Sequence, residues 1–292
     1  MATLRHHLSQ TIGRMFPDKI FLNLMFHSRM GYWINWKRPQ TFNEKLQWLK
    51  VYYRRPEFTT MVDKYAVKHY ISEKIGKKYV LPLIGVWEKP KDIDFDLLPN
   101  QFVLKTTHDS GSVVVCPDKT KLDKKAVCKK LIKSLKKNYY YEQREYPYKN
   151  VKPRIIAEQY MVDESGTELK DYKFFCFDGK CKMLFVATER QTREEPFFNF
   201  FDRDFNPLPF KQGHPVNPVV PKKPENFEEM IRIAEHLSIG FPHIRVDLYN
   251  INGKIYFGEF TFFHFSGNVP FEPAEWDHKI GEWLNLPEKQ NC

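Results

Sequence analysis

The sequence has few cysteines, and none of them stands in a pattern typical of a zinc site or a disulfide framework. The five cysteines of the 292-residue chain are scattered, their number is odd, and no two form a C-x-x-C pair. We therefore expect a reducing, cytoplasmic environment. The five positions are Cys116, Cys128, Cys176, Cys181 and Cys292.

The sequence also lacks a long run of apolar residues. A helix needs roughly 20 mostly apolar residues to cross a bilayer, whereas the longest N-terminal candidate, IFLNLMF at 20–26, is short and contains Asn23. Polar residues such as His6 and His7 interrupt any apolar stretch of a secretion signal. We expect a cytoplasmic protein without a transmembrane segment.

Acidic residues are outnumbered by basic ones, and the formal net charge is +10. Such an excess favours anionic partners: nucleotide phosphates, acidic sugars, nucleic acid or an anionic membrane face. Much of the charge lies in one lysine-rich segment, 118–137, where Val127, Leu131 and Leu135 predict an amphipathic helix with a solvated lysine face. No aromatic residue interrupts the basic ones there, so we expect no nucleic-acid partner.

Strand and turn signals divide the chain near Gln101. Residues 1–100 are predicted to be largely helical, with Thr41 and Glu44 at the spacing of a capping box. Ahead of the boundary, YVLPLIGVW is predicted to be a buried extended segment. From 101 to 275, short β-branched and aromatic runs predict antiparallel strands, and 276–292 is predicted to be a C-terminal tail. The predicted fold class is α+β.

Two hairpins and one helix are predicted within the strand-rich region. The dipeptides Asp-Gly at 178–179 and Asn-Gly at 252–253 are typical of tight hairpin turns. Between them, ENFEEMIRIAEHLSIG predicts a helix with Asn226 and Glu229 as its capping box.

The second hairpin carries Arg245 and Asp247 on one strand and Glu259 on the other. With a regular two-residue turn, Asp247 would lie opposite Gly258, and Glu259 would point to the other side of the sheet. The register of this hairpin therefore decides whether the two carboxylates share a face.

The alternative register needs a three-residue loop or one β-bulge, which we expect to pair Ile251 with Ile255. Asp247 then faces Glu259. Two facing carboxylates repel unless a cation joins them, and Mg²⁺ prefers such oxygen ligands. The competing explanation is a half-exposed sheet face on which Asp247 pairs with Arg245 or Lys254.

Three other segments carry candidate groups, each with a simpler explanation. FVLKTTHDSGSVVV places Lys105 before a small polar loop; its spacing is not that of a Walker A loop, yet such a loop can point backbone N–H groups at phosphates. A solvated hairpin is the alternative. RIIAEQYM ends near Glu158, which is otherwise an exposed residue of an edge strand. DYKFFCF places Asp171 and Lys173 on one strand face, where a surface ion pair is the alternative.

Taken in order, these segments resemble the ATP-grasp superfamily. The shared features are the strand-end lysine with its loop, then IAEQYM, DYKFF, an R-x-D motif, and G-E-x-T followed by SG. The nearest resemblance is to the TupA-like branch, found among enzymes of bacterial cell-surface polysaccharide synthesis. It covers about 102–267 and, more weakly, FNEKLQWLK and MVDKYAVKHYI. It implies an ATP-grasp fold of antiparallel sheets and helices, preceded by the helical region.

The resemblance implies a set of contacts to ATP. Lys105 would contact the α- and β-phosphates, and Lys173 would also reach the phosphates. Glu158 would accept a hydrogen bond from the adenine amino group, and Met161 would offer its backbone N–H to the ring. Asp171 or its neighbourhood would approach the ribose. The loop closing over the phosphates would be Thr107 to Ser112, including Ser110, Gly111 and Ser112.

The resemblance also implies metal and substrate groups. Asp247 and Glu259 would hold Mg²⁺, and Arg245 would neutralise the transferring phosphoryl group. Many ATP-grasp enzymes have Asn two residues after the second carboxylate; this chain has Thr261, whose hydroxyl can ligate Mg²⁺ or orient one of its waters. Arg190 and Arg193 could bind the acid substrate. The alternative is that both belong to an exposed charged loop.

The implied activity is that of an amide-forming ligase that produces ADP. The γ-phosphate would pass to a substrate carboxylate, and an amine would displace phosphate from the acyl phosphate, with Arg245, Lys105 and Lys173 as catalytic groups. For this branch, the implied partners are an acidic sugar or glycan carboxylate of a capsule, an amine or amino acid, and a polysaccharide assembly system to which the protein associates peripherally.

Two other functions stay open at this point. A glycosyltransferase of the same pathway would use Asp202 and Asp204, a D-x-D motif that can hold a metal and a nucleotide-sugar diphosphate. FDRDFNPLP reads more simply as a turn, and the chain lacks the parallel βαβ series of common nucleotide-sugar folds. A non-catalytic protein that binds a glycan or a nucleic acid would use the basic helix. The presence of Lys105, Arg245, Asp247 and Glu259 together argues against it.

Overall fold

The structure, a computed structural model, describes residues 16–190 and 193–289. The chain divides into two compact units. Within the described residues, unit one is Arg55–Met161, and unit two joins residues 16–54 to residues 162–289. The predicted boundaries near 100 and 275 stay a prediction about functional regions; the compact units divide elsewhere.

The described residues form eight α-helices and eleven strands, which confirms the predicted α+β class. The helices α1 to α8 are Asp18–Met30, Phe42–Tyr52, Glu57–Val62, Ala66–Lys74, Lys124–Leu135, Tyr140–Gln143, Phe227–Ser238 and Glu275–Trp283. The strands β1 to β11 are Leu83–Trp87, Phe102–Thr106, Val113–Cys116, Ile155–Gln159, Asp171–Phe177, Lys180–Thr188, Phe197–Asp202, Lys211–Gln212, His243–Ile251, Lys254–Thr261 and Phe271–Glu272.

Unit one is built on a four-stranded antiparallel sheet with the order β1-β4-β2-β3. The lysine-rich helix α5 packs on β2 through Val127 and Leu131, which join a core with Phe102, Leu104 and Ile155. Its lysines face outward, so the predicted amphipathic helix with a solvated lysine face is confirmed.

Unit two is built on a five-stranded antiparallel sheet with the order β10-β9-β5-β6-β7. Helix α7 covers one face, where Phe174 of β5 contacts Phe227 of the helix with ring centroids 5.9 Å apart. On the opposite face Phe42 of α2 packs edge-on against Phe177 and His243. Because successive residues of a strand alternate between faces, β5 and β9 serve both layers.

Two predictions about β1 and α7 are wrong. YVLPLIGVW is extended at β1 but not buried, because β1 is an edge strand with Leu83 and Ile84 38% and 37% exposed. The helix predicted after Asn226 is present, but Asn226 and Glu229 form no capping box. The Asn226 side chain instead donates a hydrogen bond to the carbonyl of Gly253 and accepts one from the Asn250 side chain.

The capping box at α2 is confirmed, and it extends further than predicted. The Thr41 hydroxyl accepts a hydrogen bond from the Glu44 backbone N–H, and the Glu44 carboxylate accepts one from the Thr41 backbone N–H. The same carboxylate also accepts from the backbone N–H groups of Asn35, at 2.8 Å, and Gln40, at 2.9 Å. The buried Glu44 side chain thus holds the backbone of the segment that precedes α2. No described helix is both long and apolar enough to span a membrane.

Replacing Glu44 with alanine should lower the free energy of unfolding by about 2–4 kcal/mol, because three backbone donors lose a charged acceptor. Urea denaturation measures the change. The matched control is Glu73→Ala on the exposed face of α4, expected to cost less than about 0.5 kcal/mol. Equal losses in the two variants would contradict the capping role.

Candidate active site

Three charged residues of unit two form one row across three neighbouring strands. Lys173 of β5 lies directly opposite Asp247 of β9, and Asp247 lies opposite Glu259 of β10. Directly opposed residues of antiparallel strands share a face. The structure therefore confirms that both carboxylates and a lysine lie on one side of the sheet.

A β-bulge at Gly258 sets this register. The Asn-Gly turn is a two-residue turn with Ile251 opposite Lys254, and the register shifts between Phe257 and Glu259. The predicted pairing of Ile251 with Ile255 is therefore wrong, although the predicted bulge and its consequence are right. A Cβ at Gly258 would lie 3.1 Å from the carbonyl oxygen of Asp247, so the bulge favours glycine.

Asp247 is held by two cations. Arg245 donates from Nε to Oδ1 and from Nη2 to Oδ2, both at 2.7 Å, and Lys173 contacts Oδ2. Lys173 also lies 2.6 Å from Asp171, and Arg245 lies 3.7 Å from Glu259. The pairing of Asp247 with Arg245 that the competing explanation required is thus present. Asp247, Arg245 and Lys173 are buried, whereas the Glu259 side chain on the same face is 43% exposed.

Burial and charge act in opposite directions on these groups. Asp247 is 0% exposed, and burial alone would raise the pKa of its carboxyl; Arg245 and Lys173 outweigh that effect and lower it. Burial likewise opposes the charged forms of both cations, but the neighbouring carboxylates raise the pKa of each. All three groups are therefore ionised at neutral pH.

Asp171 and Arg190 extend the cluster. Asp171 accepts from Arg190 at 3.0 Å through the oxygen that also contacts Lys173. Its other carboxylate oxygen is buried and has no hydrogen-bond partner among residues 16–190 and 193–289. Arg190 therefore belongs to the cluster. Arg193 instead lies 3.7 Å from Glu189, and over the ring of Phe197. Ribose contact by Asp171 and substrate binding by the two arginines stay predictions.

The donor set of this cluster fits a hard divalent cation. Asp247 and Glu259 offer carboxylate oxygens from one face, Thr261 follows with a hydroxyl, and the Glu259 side chain is 43% exposed. Within residues 16–190 and 193–289, no group of three or more His, Cys, Asp or Glu side chains is arranged to hold a metal. A metal here would have two carboxylates and oxygen ligands of another kind.

Two residues that support Arg245 were missed by sequence reasoning. The third guanidinium nitrogen of Arg245, Nη1, lies 2.7 Å from Nδ1 of His264, whose Nε2 lies 3.0 Å from Gln212. Neither belongs to a recognisable motif, and Gln212 is more than thirty residues away from Arg245 in the sequence. The sequence around His264 therefore does not indicate that it contacts Arg245 and Gln212.

In unit one, the buried Glu158 forms an ion pair with the partly buried Lys105 that sequence reasoning did not predict. Lys105 on β2 contacts Glu158 on β4 at 2.7 Å, and Lys68 of α4 contacts the other carboxylate oxygen. Strand β4 lies between β1 and β2, so the alternative of an exposed edge residue is wrong. Met161 follows β4 and is half-buried. Contacts of these residues to adenine and phosphate stay predictions.

The β2–β3 loop, Thr107 to Ser112, is anchored at Asp109. The Asp109 carboxylate accepts from Thr106 and Ser134, both at 2.5 Å, and from Ser112. Thr107 to Asp109 are buried, whereas the tip of the loop, Ser110 and Gly111, is exposed. Gly111 has φ of +88°, a conformation that favours glycine. The exposed tip therefore carries two of the three loop residues that are predicted to bind phosphate.

The D-x-D motif forms a turn. Asp202 ends β7, and its carboxylate accepts from the backbone N–H groups of Asp204 and Asn206 and from the Asn206 side chain. Asp204 is exposed and lies 3.7 Å from Arg203. The turn explanation of this motif is confirmed.

Comparison with known families agrees with this geometry. A family model described as TupA-like ATPgrasp matches residues 44–285. The chain belongs to the TupA-like ATP-grasp family. The fold predicted from the resemblance, antiparallel ATP-grasp sheets with helices and a helical region before them, is thereby confirmed. No curated protein sequence matches the chain.

Three of the solved structures similar to this TupA-like chain are described as ligases. An L-amino acid ligase from Bacillus licheniformis has 11% identity and a TM-score of 0.49, covering 94% of this chain and 64% of its own. A D-alanine–D-alanine ligase from Helicobacter pylori has 16% identity and a TM-score of 0.43, covering 84% and 69%. The corresponding ligase from Bacillus anthracis, complexed with ATP, has 15% identity and a TM-score of 0.41, covering 70% and 55%. The chain thus spans little more than half the length of this last ligase.

The ion pairs of Glu158 predict a pH dependence of stability. Burial alone would raise the pKa of its carboxyl above the ordinary 4.5, but Lys105 and Lys68 outweigh burial and lower it to about 2. Since the folded state favours the ionised form, the contribution is complete above about pH 4.5 and is lost as the pH falls towards 2.

Glu158→Gln should therefore be less stable than the wild type by about 2–4 kcal/mol at neutral pH. The gap should narrow between about pH 4.5 and 2. Urea denaturation at a series of pH values measures this. Glu73→Gln is the control and should follow the wild-type curve. A constant gap over the whole range would show that Glu158 is not the titrating group.

Proposed function

We propose that this protein is an ATP-dependent carboxylate–amine ligase that works through an acyl phosphate and releases ADP. The observation that carries the proposal is the row of Lys173, Asp247 and Glu259 across three strands, with Arg245 bound to the central carboxylate. Membership of the TupA-like ATP-grasp family supports it. Phosphoryl transfer depends on positioning and charge neutralisation, which such a row is suited to supply.

Each charged group has a separate role in the proposed reaction. Lys105 and Lys173 neutralise phosphate oxygens of ATP, and Arg245 stabilises the charge of the transferring phosphoryl group. Glu158 and the backbone of Met161 recognise adenine. In the proposed cycle, the exposed tip of the β2–β3 loop covers the phosphates, because the acyl phosphate must be kept from water.

Magnesium fits this reaction as the metal. Asp247, Glu259 and Thr261 would hold it, and when bound it supplies further positive charge to the phosphate oxygens. The support is chemical: the donors are carboxylate and hydroxyl oxygens on one face, and hard cations prefer such ligands.

We infer that the acid is a uronic sugar or glycan carboxylate and that the amine is a small amine or an amino acid, in capsular or cell-surface polysaccharide synthesis. The support for this class is the resemblance to the TupA-like branch. Arg190, whose side chain is 40% exposed beside Asp171, is the best placed group to receive a substrate carboxylate. Arg193 is the second candidate. A cytoplasmic location and peripheral association with an assembly system complete the proposal.

The first test is thermal stabilisation by nucleotides. A ligand at a hundred times its dissociation constant adds about 2.7 kcal/mol to stability. ATP–Mg²⁺ should therefore raise the melting temperature, after which uronic acids and amines are screened for ADP release. Stabilisation by a UDP-sugar alone would overturn the ligase proposal in favour of a glycosyltransferase. Stabilisation by a glycan without ATP turnover would favour a binding protein.

The decisive variant is Glu259→Gln, which keeps the shape of the side chain and removes its charge. It should lower the rate of ADP release by about 100-fold or more, the usual loss when one transition-state charge contact is removed. The matched control is Glu272→Gln, an exposed strand glutamate paired with Lys211, which should keep full activity. Equal activity of the two variants would place the chemistry elsewhere.

A further inference from the structure

Arg245 is connected to the backbone through two other side chains. Its Nη1 lies 2.7 Å from Nδ1 of His264, and His264 Nε2 lies 3.0 Å from Oε1 of Gln212. Gln212, on the short strand β8, donates from Nε2 to the carbonyl of Val269 at 2.9 Å. His264 begins the short 3-10 turn His264–Gly267 that follows β10. The chain of contacts therefore runs from the proposed phosphoryl site to a fixed carbonyl group.

The two ends of this chain determine where the proton of His264 lies. Gln212 gives its amide N–H to Val269 and so presents its oxygen to His264, which must donate from Nε2. A guanidinium has donors only, so Nδ1 must carry the lone pair that accepts from Arg245. The imidazole is therefore neutral, with its proton on Nε2.

The surroundings support this assignment. His264 is 1% exposed and packs against the rings of both Phe175 and Phe185. Burial, together with the positive charge of Arg245, holds the pKa of His264 well below its usual range. The other groups that act on it, His243, Lys173 and His214, also lower this pKa.

We propose that His264 is a positioning residue: as a neutral imidazole held by Gln212, it fixes the plane of the Arg245 guanidinium against Asp247. All three guanidinium nitrogens are then engaged, two with the carboxylate and one with the imidazole. The catalytic part of this inference rests on the proposed ligase function, in which Arg245 stabilises the transferring phosphoryl group.

A neutral acceptor suits this position better than another carboxylate would. The cluster already contains equal numbers of carboxylates and cations: Asp171, Asp247 and Glu259 against Lys173, Arg190 and Arg245. A fourth carboxylate would reduce the positive charge that is available to a phosphoryl group. An imidazole lone pair orients Arg245 without adding negative charge.

The test compares His264→Asn with His264→Leu in the full-length protein. The two side chains have nearly the same shape and leave the same space, but only asparagine offers an acceptor near the position of Nδ1. His264→Leu should lower kcat for ADP release by about 10- to 100-fold, the usual effect of losing a partner that orients a reacting group. Its KM for ATP should change little. His264→Asn should recover most of the rate, with melting temperatures that agree between the two variants.

Equal losses of kcat in the two variants, or a more active leucine variant, would overturn the proposal, because they would show that His264 only fills space. The ¹⁵N spectrum of the wild-type histidines gives a measurement that needs no ligase activity. It should show His264 with an unprotonated Nδ1 and a protonated Nε2 throughout roughly pH 6–8, the range in which an ordinary histidine titrates. A protonated Nδ1 would overturn the inference. The expected tautomer in a protein that releases no ADP would overturn the proposed function alone and support the positioning of Arg245.

Discussion

An ionised carboxylate without solvent contact is tolerated only where positive charge and hydrogen bonds replace its water, and Asp247 meets that condition through Arg245 and Lys173. Each of these cations is buried in turn and needs further partners, which Asp171 and Glu259 provide. The series of paired charges ends at Glu259 and Arg190, whose side chains are in contact with solvent. The charged cluster is therefore a single electrostatic unit, and the loss of one member changes the environment of the others.

The pleat of the unit-two sheet separates this cluster from the hydrophobic core without any additional layer. On β5, Phe174 points to helix α7, while Lys173 and Phe175 point to the opposite face. Along that opposite face the charges give way to aromatic rings, with Phe175 packed against His264 and Phe42 beyond it. A strand can thus carry ions and a tight core within a few residues, because alternation assigns each side chain to a layer.

Sequence patterns predicted what depends on local spacing. Both hairpin turns and the α2 cap follow from such spacing, whereas for Asp247 and Glu259 the spacing left two registers open and the bulge at Gly258 decides between them. The place of the bulge also has a signal, since Phe257 and Phe260, three residues apart around Gly258, lie on one face with ring centroids 4.7 Å apart. Contacts between distant segments had no such signal: the ion pair of Lys68 with Glu158 and the support of Arg245 by His264 require the tertiary fold. The roles assigned to the site residues remain predictions.

The anchoring of the β2–β3 loop has an entropic consequence. Ordering a flexible residue costs about 1–2 kcal/mol in backbone entropy. With Asp109 tying Thr106, Ser112 and Ser134 together, most of the six-residue loop is already ordered, and only the tip at Ser110 and Gly111 is exposed. If a nucleotide draws this loop closed, as proposed, most of the loop is already held in place, and more of the intrinsic contact energy is retained as affinity.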